Sequence, residues 1–304
     1  MSEVFDTGIV GAGPAGLTAA IYLARYNVKA IVFGKDFGKV AETFVIENFP
    51  GFKSVSGLAL SQKMIEQVKS LNVPVELSKV SGIKKEKELF VLTVENKEFK
   101  VKTIIIATGL KTRELGIPGE NEFKGKGVSY CATCEAAFFK DKVVGVIGGS
   151  DAAAETALLL SEFAGKVTIF YRKAKLRAQP ILVKKVLENK KIKVVYNSNV
   201  VKVMGSKFME KALVDVDGDK KEFVLDGLFV EIGSSPDLSF IEGLGVKVDK
   251  QGFIDCNISQ ETNVKNVFSA GDITNNSNNL KQITCACSEG AIAANAIFKL
   301  LKQK

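Results

Sequence analysis

Phe5-Asp6-Thr7-Gly8-Ile9-Val10-Gly11-Ala12-Gly13-Pro14-Ala15-Gly16 sets a short apolar strand pattern against a glycine turn, after which Leu17, Ala20, Ile21, Leu23 and Ala24 recur at helical spacing. Pro14 sits where a helix start tolerates it. The pattern returns in the middle of the chain as Val143-Val144-Gly145-Val146-Ile147-Gly148-Gly149-Ser150-Asp151-Ala152-Ala153. Strand, glycine turn and helix in that order make a dinucleotide-binding unit. The first glycine permits the tight turn, the second lets a pyrophosphate approach the backbone, and the third lets helix and strand pack closely. Two such turns predict an α/β protein with two Rossmann-like dinucleotide-binding domains, the second inserted into the first.

Working outward from the first turn, Val28–Phe33 reads as a strand, Gly57–Leu71 as a helix and Phe90–Val101 as a hairpin-like pair around Asn96-Lys97, followed by the β-branched run Lys102–Ala107 ending in Thr108-Gly109. Gly116-Ile117-Pro118-Gly119 reads as a linker. Around the second turn lie a helix over Asp151–Phe163, a strand over Lys166–Phe170 and a helix near Ile181–Glu188, and the unit ends around Asp237. Val267–Asp272 is a further strand ending in glycine and acid, and a closing helix runs to about Leu301. The expected domains are 1–115 for the first part of one nucleotide domain, 116–242 for the insert and 243–304 for the second part. No short-period repeat or low-complexity tract appears.

Composition bounds the rest. With 304 residues and 46% hydrophobic residues, the chain suffices for about two cores. No apolar run reaches the roughly 18–20 residues of a spanning helix, and the N-terminal residues lack the basic start and apolar centre of a secretion signal, so a cytoplasmic protein without a membrane segment is expected. The net charge of +8 is scattered among acids, as in Lys84-Lys85-Glu86-Lys87-Glu88 and Asp215-Val216-Asp217-Gly218-Asp219-Lys220-Lys221. That distribution suits a solvated surface and argues against nucleic acid as partner. The absence of histidine removes the commonest general base and the commonest zinc ligand.

Cys131-Ala132-Thr133-Cys134 lies just ahead of the second turn, in the expected insert. A zinc half-site would need two further ligands, there is no histidine, and Cys285-x-Cys287 has an unusual spacing, so no metal is expected. Inert core cysteines are a second reading. A redox disulfide is the third, since Cys-x-x-Cys forms a short reversible bridge and lowers one thiol's pKa. Glu135 follows directly, either as a proton donor or as a surface acid at a helix start. Cys256, Cys285 and Cys287 read as small buried side chains.

The two turns differ in detail. After the first, the strand to Phe33 ends in Gly34-Lys35-Asp36, without the acid that usually holds a ribose. The second carries Ser150 in place of the middle glycine, and its next strand runs into Tyr171-Arg172-Lys173 and Lys175-Leu176-Arg177, holding two of the four arginines of the chain. A basic cluster there reads either as a 2′-phosphate pocket, since arginine matches phosphate bidentately, or as a solvated basic loop.

Taken in order, Gly11-x-Gly13-x-x-Gly16, Asn48-Phe49-Pro50-Gly51, Ala107-Thr108-Gly109, Cys131-Ala132-Thr133-Cys134, the Gly148 turn, Arg172 with Arg177, and Gly271-Asp272 followed by Lys281-Gln282 resemble the low-molecular-weight thioredoxin reductases over essentially the whole chain. The resemblance implies FAD held by Gly11, Ala12, Gly13, Pro14, Ala15, Gly16, Asn48, Ala107, Thr108, Gly109, Gly271, Asp272, Lys281, Gln282 and Ile283. It implies NADPH held by Gly148, Gly149, Ser150, Asp151, Ala152, Arg172, Lys173 and Arg177. Cys134 then faces the flavin, Cys131 attacks a thioredoxin or thioredoxin-like partner, Glu135 serves as proton donor, and the protein is a homodimer. Glu135 stands where aspartate is usual, Lys281 where arginine is usual and Lys39 where glutamine is usual. These departures leave open a reductase fed by ferredoxin or a deazaflavin, and a non-enzymatic flavin-binding redox sensor or scaffold.

Overall fold

The computed structural model describes residues 3–43 and 45–302. The outermost residues of the expected first and last segments, 1, 2, 303 and 304, lie outside the described residues, as does Phe44. Two compact units emerge, one built from both chain ends, Met1–Lys111 with Ser235–Lys304, and one from the middle, Thr112–Ser234.

In the first unit the strand Val4–Val10 is central. It pairs in parallel with Ala30–Phe33 on one side and with Lys97–Ile106 on the other, while Val75–Glu76 and Val267–Ser269 extend the parallel sheet. Alternate residues face opposite ways in a strand. Ile9, Val32, Ile105 and Phe268 accordingly enter one core, with helices Pro14–Arg25 and Ile283–Lys302, and Val10, Ile31, Phe33, Ile104 and Ile106 enter another. Burial on both faces explains why these strands read as continuous apolar runs. The expected hairpin is one half of a three-stranded antiparallel wing, Val80–Glu86, Leu89–Val94 and Lys97–Ile106. The expected strand over Lys102–Ala107 is the far end of that last strand, so one strand serves both wing and parallel sheet.

The second unit repeats the plan. Ile192–Val195, Lys166–Phe170, Val143–Ile147, Gly227–Val230 and Val128–Ser129 form a parallel sheet in that order. Helices Asp151–Phe163 and Pro180–Glu188 accompany it, and a second antiparallel wing comprises Ser198–Gly205, Met209–Val216 and Asp219–Val224. This wing carries the mixed-charge stretch that reads as solvated surface in the sequence.

Both crossings between the units fall upstream of the edges expected from the sequence. Gly116-Ile117-Pro118-Gly119, expected as a linker, belongs to the second unit because the amides of Leu115 and Gly116 donate to the Glu120 carboxylate at 2.7 Å each. The Arg113 amide donates to the Gly233 carbonyl at 3.0 Å, which ties the two ends of the unit together. Residues beyond Ser235 return to the first unit, where Phe240 and Ile241 are buried in the core shared with the antiparallel wing. Among the described residues no helix is long and apolar enough to cross a membrane.

Candidate active site

A parallel α/β sheet binds ligands beyond the carboxyl ends of its strands. In the first unit those ends carry Gly11–Gly16, Ala107-Thr108-Gly109 and Gly271-Asp272 on adjacent strands. The Ala107 amide donates to Val10 O at 2.7 Å and the Ala270 amide to Ile106 O at 3.0 Å, which sets the three loops side by side. Helix Pro14–Arg25 starts at Gly13 with no side-chain cap, whereas helix Gly57–Ser70 is capped by the Ser56 hydroxyl, which accepts from Ala59 N. The first helix thus keeps its N-terminal amides for a ligand. A methyl at Gly16 would lie 1.9 Å from Gly11 O, whereas one at Gly13 would meet nothing within 4 Å. The turn is closed where helix meets strand and open where a phosphate would enter. These residues therefore fit the pyrophosphate of a flavin dinucleotide.

Two expected residues from distant parts of the chain meet directly, since Asn48 Nδ2 donates to Gln282 Oε1 at 2.9 Å. Ile283 begins the closing helix beside them. Lys281 Nζ donates to Thr274 O at 2.6 Å and stands 4.4 Å over the Phe253 ring. Burial pulls its ammonium below the ordinary value, against the opposing pull of Asp272 and Glu289. Burial pushes the Asp272 carboxyl up. Asp36 is occupied locally, accepting the Gly38 amide at 2.9 Å and pairing with Lys35 at 3.3 Å.

Glu289 is absent from the sequence-based set although it organises this end of the site. It is buried, and its carboxylate accepts from the Gly271 amide at 2.7 Å, Thr274 Oγ1 at 2.9 Å and Ser277 Oγ at 2.6 Å. A signal for it exists in the sequence. With Ala286, Gly290, Ala293 and Ala294 it lies on the buried stripe of the closing helix, and a carboxylate on such a stripe must find donors.

The second turn is assembled differently. Helix Asp151–Phe163 also begins without a side-chain cap, at Ser150. A methyl at Gly149 would fall 2.5 Å from the Tyr171 ring, so that ring closes one side of the turn. The loop after Phe170 is fastened to the turn: the Arg177 amide donates to Gly149 O at 2.8 Å, and Gln179 donates to both Asp151 oxygens, from its amide at 2.7 Å and from Nε2 at 2.9 Å. Asp151 therefore anchors the basic loop. Ala152 is exposed on the first turn of the helix. Leu176 and Ala178 are buried, while Arg172, Lys173, Lys175 and Arg177 are exposed and pair with no carboxylate among the described residues. The loop presents four cations beside helix amides, a surface that fits a phosphorylated nucleotide.

In the same unit Cys131 and Cys134 form a disulfide. The inert-core reading of this pair is thereby set aside. Cys131 caps the short helix Ala132–Glu135, with Sγ accepting the Cys134 amide at 3.2 Å. Cys131 is half-buried and Cys134 exposed. Ala132 and Ala136 are buried, and the Phe139 ring packs edge-on against Phe229 at 5.2 Å, seating the segment on its own sheet. Glu135 is half-buried, and its carboxylate makes no hydrogen bond or ion pair among the described residues. Cys256, Cys285 and Cys287 are free and half-buried rather than fully buried as expected. Burial, with Glu289 and Asp255 adding to it, pushes the Cys256 thiol up to about 12. Among the described residues no cluster of three or more His, Cys, Asp or Glu could hold a metal.

Two dinucleotide turns and a Cys-x-x-Cys disulfide define a nucleotide-dependent disulfide oxidoreductase. A family model described as pyridine nucleotide-disulphide oxidoreductase matches residues 5–290, and the chain belongs to that family. It is 40% identical over 304 residues to the thioredoxin reductase of Bacillus subtilis (strain 168), spanning 98% of this chain and 95% of the relative. A solved Lactococcus lactis thioredoxin reductase matches with a TM-score of 0.95 at 36% identity, covering 99% of this chain and 100% of the other. The T. acidophilum thioredoxin reductase matches with a TM-score of 0.93 at 33% identity, covering 98% and 99%. The fold is the two-domain Rossmann-like one expected from the sequence, and the chain is an oxidoreductase of the flavin and pyridine-nucleotide class.

Proposed function

We propose that this chain is an FAD-dependent thioredoxin reductase that draws electrons from NADPH and delivers them through Cys131 and Cys134 to the disulfide of a thioredoxin or thioredoxin-like protein. The observation that carries the reading is the Cys131–Cys134 disulfide in the same unit as an exposed basic loop fastened to a dinucleotide turn. FAD, when bound, supplies the two-electron relay between nicotinamide and disulfide. Gly11–Gly16, Asn48, Ala107-Thr108-Gly109, Gly271-Asp272 and Lys281-Gln282-Ile283 would hold it. Gly148-Gly149-Ser150-Asp151-Ala152 with Arg172, Lys173 and Arg177 would hold NADPH, the arginines taking the 2′-phosphate.

The reduced pair does the exchange. The resemblance makes Cys131 the attacking group, and its place at the start of the short helix, where Sγ accepts the Cys134 amide, supports that role. Its thiolate attacks one sulfur of the partner disulfide, the S–S bond breaks, and the second partner sulfur leaves as thiolate and takes a proton. Cys134, its own proton passed to Glu135, then attacks Cys131 Sγ; the internal disulfide forms as the mixed disulfide breaks, and the first partner sulfur leaves as thiolate, takes that proton from Glu135 and departs with the reduced partner. Two electrons have moved and the pair is ready for another reduction. A thioredoxin couple lies near roughly −270 mV, within reach of a nucleotide-driven flavin. The resemblance extends to a cytoplasmic homodimer. Thioredoxin-dependent insulin reduction with NADPH is the expected activity. Turnover with reduced ferredoxin or deazaflavin, and none with NADPH, would replace the donor in this reading.

A further inference from the structure

The residues that lead into the dithiol are each held by a separate bond. Val128 and Ser129 pair with Leu228 and Phe229 at the sheet edge. Ser129 is buried, and its hydroxyl accepts the Cys131 amide at 3.2 Å and reaches Cys131 O at 3.5 Å. Tyr130, next in line, donates its hydroxyl to Glu120 Oε1. Glu120 is only 1% exposed, and it also accepts the amides of Leu115 and Gly116.

A carboxylate that deep is costly unless its charge is compensated. No cation pairs with Glu120 among the described residues, since Lys124 pairs with Glu114 at 3.0 Å and lies over the Tyr130 ring at 4.8 Å. The charge is carried by hydrogen bonds alone, one of them from the side chain adjacent to Cys131. Burial pushes the Glu120 carboxyl up, but the Tyr130 hydroxyl and the amides of Leu115, Gly116 and Ile117 outweigh it and hold the group below its ordinary value. Burial and Glu120 together push the Tyr130 phenol strongly up. Charged acceptor and protonated donor therefore coexist across the whole neutral range.

We propose that Tyr130 is a positioning residue for the Cys131–Cys134 couple, fixing the chain ahead of Cys131 through Glu120 so that the closed disulfide is favoured over the open dithiol. The inference rests on the reading of this pair as a reversible redox couple. Opening the couple breaks the S–S bond and takes up two electrons and two protons. With dithiothreitol as reductant, those electrons and protons come from the reagent as it closes into its own cyclic disulfide. Backbone held near the closed geometry raises the effective concentration of one sulfur at the other, and loosening it favours the open form.

The test is the equilibrium of the full chain with dithiothreitol of graded oxidation, read by alkylation of Cys131 and Cys134 and mass analysis. Tyr130→Phe keeps the ring and removes the hydroxyl. It is expected to shift the equilibrium about fivefold toward the dithiol, a potential about 20 mV higher at 29.6 mV per tenfold. Glu120→Gln, which keeps one acceptor oxygen, should shift it in the same direction and decides the matter if Tyr130→Phe folds poorly. Lys124→Met, which removes the cation over the ring but leaves the hydroxyl, should leave it unmoved. A lowered Tm with the thiol equilibrium unchanged within about twofold in Tyr130→Phe and Glu120→Gln would make the bond merely structural and overturn the proposal. A pair that dithiothreitol never opens in the unmodified protein would instead overturn the redox reading, and this inference with it.

Discussion

The two glycine turns have the same plan and, on the proposed function, opposite means of holding a nucleotide. At Gly11–Gly16 the grip is a matter of form: helix and strand meet so closely that Gly16 has no room for a methyl, the space over Gly13 is open, and the supporting carboxylate, Glu289, is buried behind Gly271. At Gly148–Ala153 it is a matter of charge. Ser150 and Ala153 occupy the positions of the second and third glycines, the Tyr171 ring fills the space at Gly149, and cations with no carboxylate partner among the described residues line the attached loop. Shape complementarity in a buried crevice suits a group that stays bound through many turnovers. Exposed charge gives fast, salt-sensitive capture and release, which suits a nucleotide that must exchange at every cycle.

The sharpest way to break this contrast is to add one methyl to the first turn. Gly16→Ala would place a carbon 1.9 Å from Gly11 O, so either the turn opens or the helix shifts. Loss of bound flavin and destabilisation of about 1–3 kcal/mol or more are expected, read by visible absorbance and thermal melting. The second turn already carries Ala153, fully buried, at the equivalent position. If Gly16→Ala keeps its flavin and its Tm, the first turn does not work by close packing.

The charge side of the contrast is tested at Arg172 and Arg177. Each charge-assisted contact to a 2′-phosphate contributes about 1.5–3 kcal/mol, so losing one should raise the NADPH KM roughly 10- to 150-fold. The contact is equally present in ground and transition states, so kcat at saturation should hold, and NADH kinetics should be nearly unaffected. Because Lys173 and Lys175 lie in the same loop, Arg172→Ala with Arg177→Ala is the cleaner test. Equal NADPH and NADH kinetics in the unmodified protein would sink the phosphate pocket.

A probe outside both turns separates nucleotide grip from fold stability. Tyr130→Phe removes a hydrogen bond to a buried carboxylate, expected to cost about 1.5–3 kcal/mol at neutral pH without changing the KM for either nucleotide. Glu120 is depressed in the fold, so its contribution is present above the ordinary value of 4.5 and is lost as pH falls through the lower folded value. The stability gap between protein and variant should therefore narrow in acid, and denaturant melts across that range would show it. A gap that widens in acid would contradict the assignment. The smallest effect is expected from Ser150→Gly, which completes the glycine pattern but removes a side chain that caps nothing. Its NADPH KM should stay within about twofold of the parent value, and a larger gain would mean that Ser150 obstructs the pyrophosphate.

The parts legible from sequence are those written in local periodicity. A buried parallel strand must be apolar on both faces and a dinucleotide turn must be glycine-rich, so both strand-turn-helix units could be read from Phe5 and from Val143. The wings were harder to read. Ser198–Val224 alternates weakly and is crowded with lysine and acid, because one face is solvated. The crossing points were displaced because Gly116-Ile117-Pro118-Gly119 looks flexible in isolation, whereas Glu120 pins its amides through bonds that have no sequence period. Glu289 left a trace as a carboxylate on an apolar helical stripe. Glu120 and Tyr130 left none, since each is defined by a partner in a separate loop.

The proposed function passes electrons from a nucleotide at the second turn to a flavin at the first, and from there to Cys131 and Cys134. Anaerobic addition of NADPH to the parent protein and to Cys131→Ser, followed by oxidised thioredoxin, tests that order directly. In both proteins the visible flavin absorbance should bleach, and only the parent should then reduce thioredoxin, through a mixed disulfide on Cys131. Failure of NADPH to bleach the flavin where reduced ferredoxin or deazaflavin succeeds, or a mixed disulfide trapped on Cys134, would contradict it.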